Sequence, residues 1–340
     1  MTGHFLFQIG AGGRGWRGLD LRMATTSTSE TLVEASVKSK PQGNRLLVIF
    51  CFGAIYLIWG STFLAIRYAV ENLPALYVVS FRHLCAGLIL LVWALAKGLR
   101  PTWEQIRASA VIGFLFFLVG HGTLHWAEKF VPSGLAALLI AVEPIFVFLM
   151  SSAVGQVWRL NGMLLAGILI GLAGVGLLVR GSTTEGGSRL TIGVIAILVG
   201  AISWAAGIMY SRKSKLSGSP LLLSALSLLS GSVMLFVVGT VLGEWKGLTL
   251  ERVGTRGWLS IMYLILFGSV ITFTAYNWLL EHFSPTLVAT HTYVNPVVAV
   301  LLGWAYGGEA LTTRVGVAAA MVIAAVVLVD RGTNRLRGLA

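Results

Sequence analysis

The sequence predicts an all-α polytopic membrane protein with ten transmembrane helices, arranged as two inverted five-helix repeats. Of its 340 residues, 56% are hydrophobic and only 11% are charged, whereas soluble domains carry about 25% charged residues. Apolar runs of about 20 residues recur along the chain, and each is long enough to cross roughly 30 Å of hydrocarbon. Several short motifs also occur twice at nearly constant spacing, which indicates a duplicated unit.

The repeated motifs relate the two halves of the chain. Val142-Glu-Pro144 and Val294-Asn-Pro296 each begin an apolar stretch, and their prolines are 152 residues apart. Trp126 and Trp278 have the same separation, while Trp59 and Trp204 are 145 residues apart. Because a unit of five spans is odd, its second copy starts from the opposite side of the membrane. The second repeat is therefore predicted to be inverted.

The spans follow a polar tail, residues 1–45, which is rich in Gly, Ser and Arg and is predicted to be disordered. Met23 is a second start, so the sequence leaves open whether residues 1–22 are translated. The ten spans are predicted at 46–66, 75–96, 106–126, 133–153, 160–180, 190–211, 220–243, 257–280, 284–305 and 313–330. They form a first repeat, 46–180, a second repeat, 190–330, and a basic tail, 331–340. The longest connection, 181–189, is predicted to be a flexible surface loop.

Basic residues predict the orientation of the chain in the membrane. With ten spans both termini lie on one side, where Lys and Arg number 16 against 8 on the other. Without the first tail the counts are 10 and 8. The excess of positive charge predicts cytoplasmic N- and C-termini. The net charge of +12 is thus explained by loops and tails, and we expect no nucleic-acid partner.

Motifs along residues 46–330 resemble the EamA repeats of the drug/metabolite transporter superfamily, most closely the YedA-like group of bacterial inner-membrane permeases. The matching segments are Tyr56-Leu-Ile-Trp-Gly-Ser-Thr-Phe63, Phe81-Arg82, Pro132-Ser-Gly-Leu-Ala-Ala, Val142-Glu-Pro144, Ser203-Trp204-Ala205, Asn295-Pro296-Val-Val-Ala-Val-Leu-Leu-Gly303 and Gly307-Gly308-Glu309. The resemblance implies a carrier in the bacterial inner membrane that exports or exchanges small metabolites, often amino acids or amphipathic drugs. It also implies alternating access around a central cavity. In one departure, Gln156-Val157 replaces the acidic end that Glu309 gives the second repeat.

Glu143 is the carboxylate that lies deepest in an apolar span, where a charge costs about 2.5–3.5 kcal/mol on insertion scales. It is the candidate for proton coupling, or for binding a substrate ammonium. The alternative is a protonated side chain bonded to a neighbouring helix. Its counterpart Asn295 is polar but does not titrate.

Pro144 and Pro296 are the predicted hinges, because each removes a backbone hydrogen bond in mid-span. The carbonyls freed one turn earlier would belong to Ile140 and Thr292. Either they face the solute, or side chains and water satisfy them.

Arg82 lies about two turns into the second span. One interpretation is that it attracts a substrate carboxylate or pairs with Glu143. The other is that its long side chain extends to the membrane interface.

Aromatic and polar residues at related places in the two repeats complete the candidate cavity, because aromatic walls with few polar groups suit an amphipathic solute. They are Trp59, Ser61, Thr62, His121, Trp126, Trp204, Tyr276, Asn277, His291, Tyr293 and Asn295. His121 and His125 are four residues apart, but nearby ligands are lacking, so no metal is expected.

The favoured function is a secondary transporter, with an intramembrane enzyme or a channel as alternatives. The spans lack a Gly-x-Ser-x-Gly nucleophile setting and a continuous polar stripe. The expected partners are a small-molecule solute, the lipid bilayer and protons, and no cofactor is implied. The sequence leaves open the substrate, the direction of transport, the coupling ion and whether the chain forms a homodimer.

Overall fold

The computed structural model describes residues 45–153, 161–185, 187–213, 219–249, 251, 253–283, 285–288 and 290–337. The predicted disordered tail lies outside these residues, except for Arg45 itself. So do Gln156 and Val157. All regular structure in the described residues is helical.

Ten membrane-crossing segments, spans 1 to 10, follow one another in the described residues. Spans 1, 3 and 8 each contain a π-helical part, and spans 4 and 9 are each broken into two helices. In order, the helices are Arg45–Gly53, Ala54–Ile58 and Trp59–Val70 (span 1), Ala75–Ala96 (span 2), Trp103–Ile112, Gly113–His121 and Gly122–Ala127 (span 3), Ser133–Ile140 and Glu143–Ala153 (span 4), Gly162–Glu185 (span 5), Gly187–Lys213 (span 6), Pro220–Val241 (span 7), Thr255–Ile265, Leu266–Ile271 and Thr272–His282 (span 8), Pro285–Val288 and His291–Ala305 (span 9), and Thr313–Arg337 (span 10).

The composition of these helices suits a bilayer. In the described part of the chain, seven are long and apolar enough to cross a membrane, and spans 5 and 10 contain the shorter apolar stretches Gly162–Leu177 and Thr313–Val329. Span 9 is the remaining segment. The prediction of an all-helical polytopic membrane protein with ten spans is confirmed.

Local sequence explains where several helices begin. Thr102 caps span 3 in a capping box with Gln105, so that side chains satisfy two backbone N–H groups at the helix start. Pro220 is the first residue of span 7, where its missing N–H costs nothing. Pro74 and Pro132 immediately precede spans 2 and 4.

Two faces of the bundle can be distinguished by the span ends that meet there. At the terminal face, where span 1 begins and span 10 ends, the Asn161 amide donates to the Gly332 carbonyl at 2.9 Å. At the opposite, distal face, the Tyr68 hydroxyl donates to the Tyr306 carbonyl at 2.6 Å. The Leu76 N–H also donates to the Glu244 carboxylate there, at 2.9 Å. The distal ends of spans 1, 2, 7 and 9 are thus joined by polar contacts.

The prediction of a loop at 181–189 is wrong. Span 5 remains helical to Glu185 and span 6 begins at Gly187, where φ is +65°. Only glycine adopts such a left-handed conformation without strain, so the chain reverses within very few residues. Among the described connections, the one between spans 7 and 8 is longer and contains the 3₁₀ turn Glu244–Gly247.

Equivalent spans of the two repeats pack on each other. Span 2 packs along span 7 and span 5 along span 10, and these are the most extensive helix contacts of the described bundle. Glycines permit the close approach, because a Cβ at Gly87 would lie 2.8 Å from Leu229 and one at Gly167 would lie 2.9 Å from the Ala325 carbonyl. Pairing of equivalent elements is the arrangement found where a two-fold pseudosymmetry axis passes between them.

Candidate functional site

Trp59 of span 1 belongs to an aromatic cluster with spans 8 and 9. Its indole Nε1 donates to the Gly268 carbonyl at 3.1 Å. Its ring centroid lies 5.5 Å from Phe273, 5.2 Å from Tyr276 and 5.1 Å from His291. Three of the predicted cavity residues, Trp59, Tyr276 and His291, are therefore neighbours, and each stays partly exposed.

Trp204 of span 6 belongs to a second cluster with spans 2 and 3. Its ring stacks on Phe116 at 4.4 Å and on His121 at 5.0 Å. Nδ1 of His121 and Nε2 of the fully buried His83 share a hydrogen bond of 2.9 Å. Predicted residues Trp204 and His121 are thus brought together, with His83 behind them. In the described residues no group of three or more His, Cys, Asp or Glu side chains is arranged to hold a metal.

The two clusters are related by the duplication. Trp59 and Trp204 are equivalent, and their ring partners Phe273 and His121 are 152 residues apart. Each tryptophan contacts a span of the other repeat, and each contacted span is π-helical at that point, at Gly113–His121 or Leu266–Ile271. A π-helical turn leaves backbone carbonyls without their usual partners and recurs at functional sites. The clusters therefore form a matched pair at the junction of the repeats.

Asn295 joins span 9 to span 1. With its amide nitrogen facing span 1, its two N–H groups are shared among three carbonyl oxygens, those of Tyr56 and Ile55 at 3.0 Å each and that of His291 at 3.1 Å. Two of these acceptors lie in the π-helical part Ala54–Ile58. The amide thus satisfies carbonyls that the irregular turn leaves open. Asn295 lies beside the Trp59 cluster, and its donors are used in holding two helices together.

The two hydroxyls predicted for the cavity are also engaged. Ser61 Oγ donates to the Ile58 carbonyl at 2.8 Å and lies 2.6 Å from the Tyr263 hydroxyl. Thr62 Oγ1 donates to the Trp59 carbonyl at 2.6 Å, and Thr62 is buried. Both hydroxyls therefore stabilise the turn that carries Trp59.

Glu143 begins the second helix of span 4, directly after the chain break. It is partly buried, and the described residues include no hydrogen-bond or ion-pair partner for it. Pro144 is the second residue of this helix, so it ends no mid-helix hydrogen bond: the preceding helix has already stopped at Ile140. Pro144 thus lies where span 4 is interrupted, whereas Pro296 lies inside its helix, and the hinge role of both stays a prediction.

The remaining predicted residues are more dispersed. Trp126 and Tyr293 are partly buried and pack against the large apolar core that spans both repeats. Trp126 also contacts Phe130 edge-on, with the ring centroids 4.9 Å apart. Asn277 lies on span 8, but its side chain is outside the described part of the structure.

Arg82 points into the bundle. It is only 3% exposed, and its Nε donates to Ser269 Oγ at 3.0 Å, with Nη2 3.5 Å from the Gly268 carbonyl. The interpretation that this side chain extends to the interface is therefore wrong, because span 8 offers it polar partners inside the bundle. Pairing with Glu143 is not observed either. Arg82 holds the same π-helical segment that Trp59 binds.

Sequence reasoning missed an ion-pair cluster at the distal face. Glu309, after span 9, accepts hydrogen bonds from Ser133 N at 2.6 Å, Ser133 Oγ at 2.7 Å and Gly134 N at 3.0 Å. It also pairs with Arg67 Nη1 at 3.1 Å. A carboxylate at a helix N-terminus satisfies open N–H groups and meets the positive end of the helix dipole. Glu309 thus joins span 1 of the first repeat to the start of span 4.

Glu128 is a second missed carboxyl, one residue beyond the helix that ends span 3. It is 1% exposed, and neither carboxyl oxygen has a hydrogen-bond partner. Its position next to Lys129, at a span end, is typical of an ordinary loop residue. The burial of Glu128 depends on how spans 1, 2 and 3 pack, and no short-range sequence pattern reveals that packing.

The fold and these paired clusters define a class: an inverted-repeat membrane protein of the kind that carries solutes between two related halves. Residues 46–180 and 191–330 each match the EamA-like transporter family. The chain belongs to this family. Since this is a family of transporters, the chain is not an enzyme.

Individual relatives agree with this assignment. The chain is 39% identical, over 281 residues, to the inner membrane transporter YedA of Escherichia coli strain K12, itself described as uncharacterized; the match covers 82% of this chain and 89% of the relative. It is 24% identical over 285 residues to the uncharacterized transporter YvbV of Bacillus subtilis strain 168, covering 81% and 89%. A protein of known crystal structure superposes with a TM-score of 0.59 at 22% identity, covering 87% of this chain and 99% of the other, which supports the fold alone.

Proposed function

We propose that this EamA-family protein is a secondary transporter that exports or exchanges small organic metabolites, such as amino acids or amphipathic drugs. Transport proceeds by alternating access around a midplane cavity between the repeats. The single observation that carries the proposal is the matched pair of tryptophan clusters. Trp59 and Trp204 each cross to the other repeat, where Trp59 donates to a carbonyl of one π-helical turn and Trp204 stacks on a ring of another.

Rearrangement of the repeats would alter both clusters together. Each tryptophan contacts a span of the opposite repeat, so relative movement changes the aromatic surface offered to a solute. Aromatic rings bind the apolar part of an amphipathic molecule, and His121 and His291 add polar edges. The break in span 4 next to Pro144, and Pro296 inside the second helix of span 9, supply the hinges.

Glu143 is the proposed proton-coupling residue of this cavity. It begins a half-helix, keeps partial exposure and lacks a described partner. An unpaired carboxyl within the hydrocarbon layer is stable when neutral. It is therefore available to a proton or to the ammonium group of a substrate.

We also propose a location in the bacterial inner membrane with both termini in the cytoplasm. The E. coli relative is described as an inner membrane transporter, and the excess of Lys and Arg lies on the terminal face. The distal face would then be periplasmic. Assembly as a homodimer remains a prediction.

The test is transport by purified protein in liposomes. Uptake and counterflow of labelled amino acids and amphipathic cations would be measured with and without a pH gradient, for wild type and Glu143→Gln. Glu71→Gln, an exposed carboxylate at the distal face, is the matched control. We expect saturable counterflow, and gradient-driven flux that Glu143→Gln abolishes while retaining counterflow.

The other outcomes discriminate the alternatives. Non-saturable flux without counterflow would indicate a channel. Equal gradient-driven flux in wild type and Glu143→Gln would remove proton coupling at this residue and leave exchange or facilitated diffusion. Absence of flux for every compound in both classes would contradict the proposed substrates.

A further inference from the structure

Glu128 occupies an unusual position for a carboxyl group. It lies at the distal end of span 3, is 1% exposed, and has both oxygens without a hydrogen-bond partner. A buried ion without partners is costly, since several kcal/mol of hydration are lost without replacement. In this conformation the neutral, protonated form is therefore favoured.

The charges around Glu128 come from several elements. Arg67 of span 1, Arg82 of span 2 and Glu309 after span 9 all act on its carboxyl group. His125 and Lys129 lie on its own segment, and the described part of span 6, which also packs here, adds no charge to this set. Burial raises the pKa of Glu128 well above its usual range and the Glu309 carboxylate raises it further, whereas the charges of Arg67 and Arg82 and the nearby backbone N–H of Arg67 lower it.

Both nearby cations already have partners. Arg67 is paired with Glu309 at 3.1 Å, and Arg82 donates to Ser269 Oγ at 3.0 Å. The Glu309 side chain is 9% exposed and also holds Ser133 and Gly134. Glu309 thus neutralises Arg67 only while the distal ends of spans 1, 4 and 9 stay together.

We infer that Glu128 is a proton-binding site that is coupled to opening of the distal face. While this face is closed, Glu309 pairs with Arg67 and Glu128 carries a proton. When Glu309 withdraws from the start of span 4, Arg67 loses its counter-ion, and Glu128 replaces it by releasing its proton to water. Closing reverses both steps, so one proton is taken up for each closure.

An open cleft supplies the water for this exchange. It lies at the distal face between the ends of spans 1, 3 and 7, has a volume of about 420 Å³, and is lined by residues that include Val70, Glu71 and Lys129. Lys129 is the chain neighbour of Glu128. A proton therefore has to travel only from this cleft into the adjoining buried site.

The duplication makes this arrangement one-sided. At the spacing of 145 residues Arg67 corresponds to Arg212, and at 152 residues Glu309 corresponds to Val157. The second repeat therefore keeps the arginine, but the first repeat lacks the acid. Proton-linked closure through this ion pair belongs to the distal face.

The inference rests on the alternating access of the proposed function, and its test uses no solute. A single reporter cysteine, Leu64→Cys, would be placed in protein whose Cys51 and Cys85 are replaced by Ala. Leu64 is 7% exposed and lies beneath Gly307, where an added Cβ would be 2.9 Å from Leu64 Cδ1. Withdrawal of the Glu309 segment would uncover it.

Labelling by a soluble maleimide in nanodiscs would be followed from pH 5 to pH 9. A cysteine at the exposed distal residue Trp245 normalises for the pH dependence of thiol chemistry. Because the closed state binds a proton more tightly, closure is favoured at low pH and is lost as pH rises. The normalised rate should therefore increase with pH, by up to about tenfold per unit for one proton.

Variants separate Glu128 from the other carboxyl groups. Glu128→Gln should label slowly at every pH, because it mimics the protonated form and cannot replace Glu309 beside Arg67. Glu104→Gln, which changes an exposed carboxylate at the terminal face, should keep the wild-type pH dependence. Glu309→Gln, which weakens the ion pair, should label faster than wild type at low pH.

The inference would be overturned if the labelling rate of Glu128→Gln rose with pH as steeply as that of wild type. It would also be overturned if the wild-type labelling rate did not depend on pH. If Glu128→Gln fails to fold, Glu128→Met gives the same comparison with an apolar side chain of similar length. If no transport is observed but the labelling rate still depends on pH through Glu128, the proposed substrates are contradicted and the proton site stands. If transport is observed but the labelling rate does not depend on pH through Glu128, only the proton site is contradicted.

Discussion

Ser80 and Ser232 bind each other reciprocally across the contact between spans 2 and 7. Ser80 Oγ donates to the Ser232 carbonyl and Ser232 Oγ donates to the Ser80 carbonyl, each at 2.9 Å. The residues are separated by 152 positions, the spacing that also relates Pro144 to Pro296. When residue i bonds to j as j bonds to i, a two-fold axis passes between them. The pseudosymmetry axis of the duplication therefore lies at this serine pair.

The first prediction follows from the equivalence of Ser80 and Ser232. Ser80→Ala and Ser232→Ala each remove one hydrogen bond, so each should lower the free energy of unfolding by a similar amount, about 0.6–1 kcal/mol. Unfolding by denaturing detergent would measure both. Ser109→Ala is the control, because Ser109 is buried and its hydroxyl has no partner, so its loss should be neutral or stabilising. Costs that differ by more than about 1 kcal/mol between the two serines would argue against equivalent environments.

Two glycines of span 1 make a matched second test. A Cβ at Gly60 would lie 2.7 Å from Val298 Cβ, on span 9, whereas a Cβ at Gly53 meets nothing within 4 Å. Gly60→Ala should destabilise by about 1–3 kcal/mol, because a well-packed contact is overfilled. Gly53→Ala should be neutral or stabilise by up to about 1 kcal/mol, through helix propensity. Thermal unfolding in detergent would show the difference, and similar melting temperatures for both variants would contradict the close contact of spans 1 and 9.

Much of the fold followed from sequence because lipid imposes simple rules. Apolar length identified the spans, and the duplicated Pro144 and Pro296 motifs identified the repeats. The junction near Gly187 was mistaken for a loop because its Gly, Ser and Thr composition suits loops, yet those residues are also tolerated in helices, and the second helix here begins at a positive-φ glycine. Propensity alone does not decide between the two.

The candidate site was predicted less completely. The duplication singled out Trp59 and Trp204, and the structure shows each in an aromatic cluster, because equivalent positions in two copies occupy equivalent environments. Arg82 was misread because its partner Ser269 lies 187 residues away. The cluster of Glu309 with Arg67 was missed for the same reason: long-range partners leave no periodic pattern in the sequence.

Asn295 makes the third prediction, which concerns the direction of its hydrogen bonds. Its two amide N–H groups face three carbonyl oxygens, so Asn295→Ala should lower the free energy of unfolding by about 1–3 kcal/mol. Asn295→Asp should lower it further, because a carboxyl oxygen would face carbonyl oxygens with no donor between them. The exposed Asn72→Asp is the control and should change little. Detergent unfolding would measure all three, and an Asn295→Asp protein as stable as wild type would show that the side chain accepts rather than donates.

The two tryptophan clusters make the last prediction. If both line the path of an amphipathic solute, Trp59→Ala and Trp204→Ala should each weaken apparent binding during counterflow by about tenfold or more, since a buried aromatic contact is worth roughly 1.5–3 kcal/mol. Trp59→Phe and Trp204→Phe should retain most of the affinity, because a ring still meets Phe273 or His121. Trp103, which is 70% exposed at the terminal face, is the control and Trp103→Ala should leave counterflow unchanged. A loss confined to one cluster would mean that the solute meets only one repeat, and unchanged affinity in both alanine variants would remove the clusters from the transport path.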